Sequence, residues 1–307
     1  MKKLLAILLA LLILTACGAK PAPEDTAGPP EKQEETESPT EAFGATKTPE
    51  EEKTPEASQP PEPLIPPEPA KVGPVSAEAI VTEGRAPAEN YTLPEGNGEY
   101  DMQRWWDSGE IGLLAEAEDA AFYGLPPSEQ FAQEKALIRW GDSLAEFEWY
   151  FATPRMYLPL MAVMDLDGDG ADELIVLTYS GSGTGVSIYD LHVLEKNPDG
   201  SITAYTMPDS LWQEQLAPMI QLEQTDEKAV LIWGEDRQEF DPVWVPDQVE
   251  ITTGYIAEFQ LLPDENTVLL QGAVDLWQTI AYVAQYTADV AYKDGVFTLS
   301  QYHLQEF

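Results

Sequence analysis

Along residues 100–307 the spacing of apolar positions changes from helix-like to strand-like, and the predicted elements sort in that order. Trp105, Leu113, Ala117 and Ala121 recur at helical spacing within Met102–Tyr123, interrupted near Gly109 and Gly112. Pro126-Pro127-Ser128-Glu129 reads as a turn into a second helix over Ser128–Phe151. Phe131, Ala132, Lys135, Leu137, Ile138 and Leu144 outline the apolar face of that helix. Tyr157–Met164 and Leu174–Tyr179 are short apolar runs that suit strands. Val186–Glu195 alternates, and Asn197-Pro198-Asp199-Gly200 turns it back into Ser201–Thr206 as a hairpin.

Further on, Asp209–Ile220 reads as a helix, Ala229–Trp233 as a strand and Val249–Leu262 as one long strand. Pro263-Asp264-Glu265-Asn266 turns into Thr267–Gly272, and Asp275–Tyr286 suits another helix. The chain closes on a hairpin of Asp289–Tyr292 and Val296–Tyr302 joined at Lys293-Asp294-Gly295. Little βαβ alternation is visible. The pattern predicts an α+β fold, with N-terminal helices followed by a mostly antiparallel sheet of hairpins. No segment repeats at a fixed period, so neither a full propeller nor a solenoid is expected.

The first hundred residues have a different character. Lys2 and Lys3 precede Leu4–Leu14, an apolar run of about eleven residues that is too short to span about 30 Å of hydrocarbon but suits a signal-peptide core. It ends in Leu14-Thr15-Ala16-Cys17, which resembles the lipobox of bacterial lipoprotein signal peptides. The resemblance implies removal of residues 1–16, lipidation of Cys17 and anchoring at the extracytoplasmic face of the cell membrane. Two acyl chains at about 0.8 kcal/mol per buried CH₂ would make that anchor durable. Residues 17–75 are dominated by Pro, Glu, Thr, Ala and Lys, with Phe43 the only aromatic residue. Such a stretch buries too little apolar surface to offset chain ordering and reads as a disordered spacer, roughly 190 Å long if stretched at about 3.3 Å per residue. Residues 76–99 read as a transition. All eight tryptophans follow Arg104, which places the globular domain at 100–307.

Charge narrows the function classes. The 307 residues carry 55 acidic against 16 basic side chains, a net charge of −39. Nucleic acids and anionic headgroups require a Lys/Arg footprint, so nucleic-acid binding is excluded, and cations are expected to concentrate around the chain. Cys17 is the single cysteine, so no intrachain disulfide is possible and stability must come from the core or from a bound metal.

One segment is built for that metal. In Asp165-Leu166-Asp167-Gly168-Asp169-Gly170-Ala171-Asp172-Glu173, carboxylates stand at loop positions 1, 3, 5 and 9, and Gly170 permits the sharp turn at position 6. Side-chain oxygens of Asp165, Asp167, Asp169 and Glu173, with the Ala171 carbonyl, can surround a hard cation. Ca²⁺ takes six to eight oxygens at about 2.3–2.6 Å and tolerates flexible ligands better than Mg²⁺. An EF-hand would need flanking helices and a glutamate at position 12, where Val176 stands between strand-like flanks. The segment instead resembles the Asp-rich calcium loop of FG-GAP and VCBS repeats, over Tyr157–Tyr189. That resemblance implies the same five ligands, with Asp172 pointing outward. The family usually repeats the unit, and this chain carries one good copy.

Other signals are weaker. Ser180-Gly181-Ser182-Gly183-Thr184-Gly185 lacks the Gly-Lys-Ser/Thr ending of a phosphate loop and reads as a strand-to-strand connection. His192 and His303 are the only histidines, too few with one cysteine for a nitrogen–sulfur zinc site. Carboxylate pairs such as Glu146 with Glu148 or Glu235 with Asp236 are expected by chance at this composition. No catalytic residue is assigned. Trp105-Trp106 and Trp244 are candidates for a sugar-stacking platform, against the commoner use of Trp in a core. The expectation is therefore a monomeric, membrane-anchored lipoprotein with a calcium-stabilised binding or structural domain for a protein or glycan ligand. The rivals are a carboxylate-based hydrolase and, ranked last, a solute-binding component of a transporter.

Overall fold

Leu174-Ile175-Val176-Leu177 is apolar at four consecutive positions, the pattern of a strand covered on both faces. All four side chains are fully buried. Leu174 and Val176 enter one core cluster, and Ile175 and Leu177 enter another. The architecture is organised about this doubly buried strand.

The computed structural model describes residues 72–87, 89–96, 98–126, 135–241, 245, 249–276 and 282–306. The first elements are β1 (Val75–Glu78), β2 (Ile80–Glu83), α1 (Met102–Ser108), β3 (Gly112–Ala117), β4 (Ala120–Gly124), β5 (Ala136–Trp140) and β6 (Ser143–Phe147). Then come β7 (Leu160–Met164), β8 (Glu173–Gly183), β9 (Val186–Lys196), β10 (Ile202–Thr206) and α2 (Ser210–Gln213). A 3-10 turn at Ala217–Met219 leads to β11 (Gln221–Gln224), β12 (Ala229–Trp233), β13 (Asp236–Phe240), β14 (Ile251–Thr252) and β15 (Ile256–Leu262). A second 3-10 turn at Pro263–Glu265 precedes β16 (Thr267–Leu276), β17 (Tyr282–Lys293) and β18 (Val296–Gln305).

The fold is mostly β, which corrects the expected α+β class with N-terminal helices. Helix α1 starts at an Asp101 cap, whose Oδ1 accepts from the Arg104 amide at 2.9 Å, and stops after seven residues at left-handed Gly109. The rest of the expected first helix is the hairpin of β3 and β4. Ala120–Gly124 is buried at all five positions, and a run covered on both faces fits a helical spacing by accident. The second expected helix fails for the same reason. Ala136, Leu137 and Ile138 are consecutive and buried, and they pair with β6 across a Gly141-Asp142 turn. Its first turn, with Phe131 and Ala132, lies outside the described residues. The ends of the helix expected over Asp275–Tyr286 belong to β16 and β17, and 277–281 lie outside the described residues. Asp209–Ile220 forms only the short α2 and a 3-10 turn containing Pro218. The long strand expected over Val249–Leu262 is interrupted at Thr253-Gly254-Tyr255, where the Thr253 hydroxyl donates to the Trp212 carbonyl at 2.6 Å.

Two hairpins stand where the alternation places them, β9 with β10 and β17 with β18. The main sheet has 11 strands. Strand β9 pairs along its length with β8, runs parallel to β15 at Ser187 and Ile188, and meets β10 over His192–Lys196. From β15 the ladder runs through β16, β17 and β18 to β1. Residues 75–83 then change partner at Ala79: β1 pairs with β18 and β2 with β10. The hydrogen-bonded path thus runs from β1 to β2, and its two ends are joined by the chain itself at Ala79. Val75 and residues 76–83, read from composition as linker and transition, supply this closing segment. The meander β3–β6 packs with β8, β9 and β10 around Phe122, Phe147 and Phe151. The sheet β11–β12–β13 adds Leu231 and Trp233 to the core that holds Ile175 and Leu177.

His192 lies within the meander's core, 2% exposed. Its ring stacks on Trp149 at 4.1 Å, and its two nitrogens contact Thr178 Oγ1 at 3.0 Å and Thr206 Oγ1 at 2.7 Å. Burial pushes the imidazole down to about 3 from 6.5. The fold holds the ring neutral, whereas the unfolded chain takes up a proton below pH 6.5. This stability is therefore intact above pH 6.5 and is lost progressively as pH falls toward 3. Between pH 7.5 and 4.5 the loss should be about 3 kcal/mol. Urea unfolding of the wild type and His192→Gln across that range checks it. The variant should lack this component of the slope, and identical slopes would contradict the assignment.

Candidate metal centre

The hairpin of β7 and β8 holds the Asp-rich loop at its tip. The register runs from Leu160 opposite Leu177 to Met164 opposite Glu173, so Asp165–Asp172 form the connection. Gly168 and Gly170 have φ of 76° and 94°, a backbone region that side chains with a Cβ rarely adopt. A Cβ at either position would meet no atom within 4 Å, so conformation and not space demands glycine there.

Each of the four candidate carboxylates also holds backbone. Asp165 Oδ2 accepts from the Gly170 amide at 3.2 Å, and Asp167 Oδ1 from the Asp169 amide at 2.9 Å. Asp169 Oδ1 accepts from the Ala171 amide at 2.7 Å. Glu173 Oε2 reaches back to the Leu166 amide at 2.8 Å and the Asp167 amide at 3.4 Å. Leu166 packs against the larger core, so the curl is fastened on its inner side by an apolar contact as well.

Of the four expected carboxylate ligands, the structure brings three together. Asp165, Asp167 and Glu173 each offer a carboxylate oxygen, with these atoms all within 4.8 Å of one another. Asp169 is exposed and stands outside this group, its Oδ1 capping the amide of the likewise exposed Ala171. Asp165 Oδ1 is buried and has no hydrogen-bond partner among the described residues, an expensive state for a carboxylate oxygen unless a cation faces it. Glu173 is 5% exposed, and its carboxyl is pushed up to about 7, chiefly by burial. The Leu166 and Asp167 amides oppose that rise, and the charges of Asp167 and Asp169 add to it. The donor set is all oxygen, anionic and convergent, as a hard divalent cation requires. The residues present therefore fit a metal ion. What the spacing did not reveal is the second role of Glu173, which staples the start of the loop through backbone amides.

The remaining candidates resolve as structural groups or fall outside the described residues. Trp105 is 3% exposed, stacks on Phe151 at 5.4 Å, and donates its indole N–H to the Gly124 carbonyl at 3.0 Å, so it packs the core. The Ser180–Gly185 run is the end of β8, with a bulge between Tyr179 and Gly181, and the Thr184-Gly185 turn into β9. Gly181 is required by close approach, since a Cβ there would lie 2.7 Å from the Ile188 Cβ. Glu148 pairs with Arg85 at 2.6 Å, and Glu146 accepts from the Tyr91 hydroxyl at 3.0 Å. His303 sits 3.3 Å from Asp236. Cys17 and Trp244 lie outside the described residues.

Glu173 yields a pH prediction for the metal-free protein. Its folded value, about 7, lies above the ordinary 4.5. The fold suffers no penalty from it below pH 4.5 and loses stability as pH rises through 7, by about 3 kcal/mol in total. In chelator, Glu173→Gln should therefore be more stable than the wild type at pH 8 and gain no such advantage at pH 4.5. Thermal unfolding at both pH values measures this, and a variant less stable than the wild type at pH 8 in chelator would contradict it. No family profile, no curated protein and no solved structure matches the chain, so its own residues carry the functional reading.

Proposed function

We propose that this chain is a lipid-anchored, extracytoplasmic module whose β domain binds one Ca²⁺ at the tip of the β7–β8 hairpin. The observation that carries the metal is the convergence of Asp165, Asp167 and Glu173 around the unpartnered, buried Asp165 Oδ1. Asp169 and the Ala171 carbonyl complete the ligand set by a local shift of an exposed loop segment. Ca²⁺ is favoured over Mg²⁺ because this short loop offers several flexible carboxylates rather than a rigid octahedron with retained waters. The ion neutralises carboxylates that otherwise repel one another, and it fixes the start of β8, from which both cores are packed.

The anchor reading rests on Leu14-Thr15-Ala16-Cys17 after a short apolar run and two lysines. No helix among the described residues is long and apolar enough to cross a membrane. The role is binding or structural, in a monomer that makes no contact with nucleic acid, and the acidity of the chain supports that exclusion.

Calcium at about 100 times its Kd should stabilise the fold by about 2.7 kcal/mol, which for a domain of this size raises Tm by roughly 5–10 °C. Differential scanning calorimetry of the full chain with calcium and with EDTA checks this, and Asp167→Ala should abolish the difference. A Tm indifferent to EDTA in the wild type would refute calcium binding. For the anchor, Cys17→Ala should move the protein from the membrane to the soluble fraction and remove labelling by radioactive palmitate. Unchanged fractionation and labelling would refute it.

A further inference from the structure

The three convergent carboxylates are not placed by the same means. Glu173 opens β8 opposite Met164, and Asp165 directly follows Met164, so the paired strand ends position both. Asp167 has no strand to position it. It is followed by Gly168 and Gly170, where a Cβ would meet no atom within 4 Å, so no surrounding wall confines that part of the loop. Glycine loses more conformational freedom on ordering than any other residue, and this stretch therefore needs a fixed point if Asp167 is to stay with the other two.

Leu166 is that fixed point. Its side chain is partly buried and packs against the larger core, which also holds Ile175 and Leu177 of β8. The other apolar residue of the loop, Ala171, is exposed. The Leu166 amide donates to Glu173 Oε2 at 2.8 Å. One residue thus joins the core, through its side chain, to the most buried carboxylate of the site, through its amide, and it immediately precedes Asp167.

We infer, on the calcium reading proposed above, that Leu166 is a positioning residue: its side chain holds Asp167 in the converged arrangement before the ion arrives and so sets the affinity for Ca²⁺. It touches no ion. An apparent Kd equals the intrinsic Kd divided by the fraction of molecules in the competent conformation. If loss of the side chain lowers that fraction to about one tenth, the apparent Kd rises about tenfold. The amide is present in every variant, so truncation removes the apolar pin alone.

Calorimetric titration of the calcium-depleted full chain tests this, with folding of each variant checked by circular dichroism in EDTA. Leu166→Ala should weaken calcium binding at least tenfold. Leu166→Met, which refills the volume with an adaptable side chain, should stay within about threefold of the wild type. Leu222→Ala, which truncates a side chain packed on the same core from β11, should stay within about twofold. Should Leu166→Ala not fold without calcium, Leu166→Val carries the comparison and should bind about fivefold more weakly than the wild type. Wild-type affinity in the truncated Leu166 variant, or equal weakening by Leu222→Ala, would overturn the positioning role while leaving calcium binding intact. A wild type that takes up no calcium would overturn the calcium reading itself, and the positioning role with it.

Discussion

The structure depends on β8 being buried on both faces. Its consecutive apolar residues serve two cores at once, Leu174 and Val176 on one side and Ile175 and Leu177 on the other. A strand in that position has no solvent face on which to place a charge, yet it begins at Glu173, a carboxylate that is nearly buried. The loop preceding it brings Asp165 and Asp167 to the same point. The two requirements meet at one residue: the first position of the strand that serves both cores is also the most buried carboxylate of the site. A cation bound there would relieve the electrostatic cost of starting β8 and thereby steady both cores.

The molecule has few other means of doing so. With Cys17 its only cysteine, the chain can form no intrachain disulfide. The pair Arg85–Glu148 is largely exposed, as is Lys228–Glu239, and such pairs contribute at most about 1 kcal/mol each. Net repulsion from 55 acidic residues works against compaction. A bound divalent cation would act on both counts, cross-linking the loop and removing the repulsion among Asp165, Asp167 and Glu173. The strand path joined at Ala79 supplies the remaining order, because residues 75–83 tie β18 to β10 and leave neither as a terminal edge.

What could be read from the sequence follows from which residues act locally. The acidic loop was legible because its carboxylates and its glycines lie within nine consecutive residues. The hairpins at Asn197–Gly200 and Lys293–Gly295 were legible because turn chemistry is likewise local. The expected helices over 102–123 and 128–151 failed where strands are covered on both faces. There Ala120–Gly124 and Ala136–Ile138 lose the alternation that marks a strand, and only tertiary packing distinguishes them from helix. The closing role of residues 75–83 was hidden because their partners, β10 and β18, lie more than a hundred residues away. Within the site itself, spacing named the carboxylates but not their unequal placement. Asp165, Asp167 and Glu173 converge, while Asp169 caps the Ala171 amide at the exposed rim.

The central claim is that a single calcium ion holds the start of β8. Hydrogen exchange followed at individual amides with and without calcium tests it most directly, because the loop amides of Leu166, Asp169 and Ala171 are bonded to the carboxylates in question. Calcium should slow exchange at these amides and along β7 and the first residues of β8, with little effect at β3–β6. Protection that is unchanged at the loop, or that changes equally across the whole domain, would contradict the account.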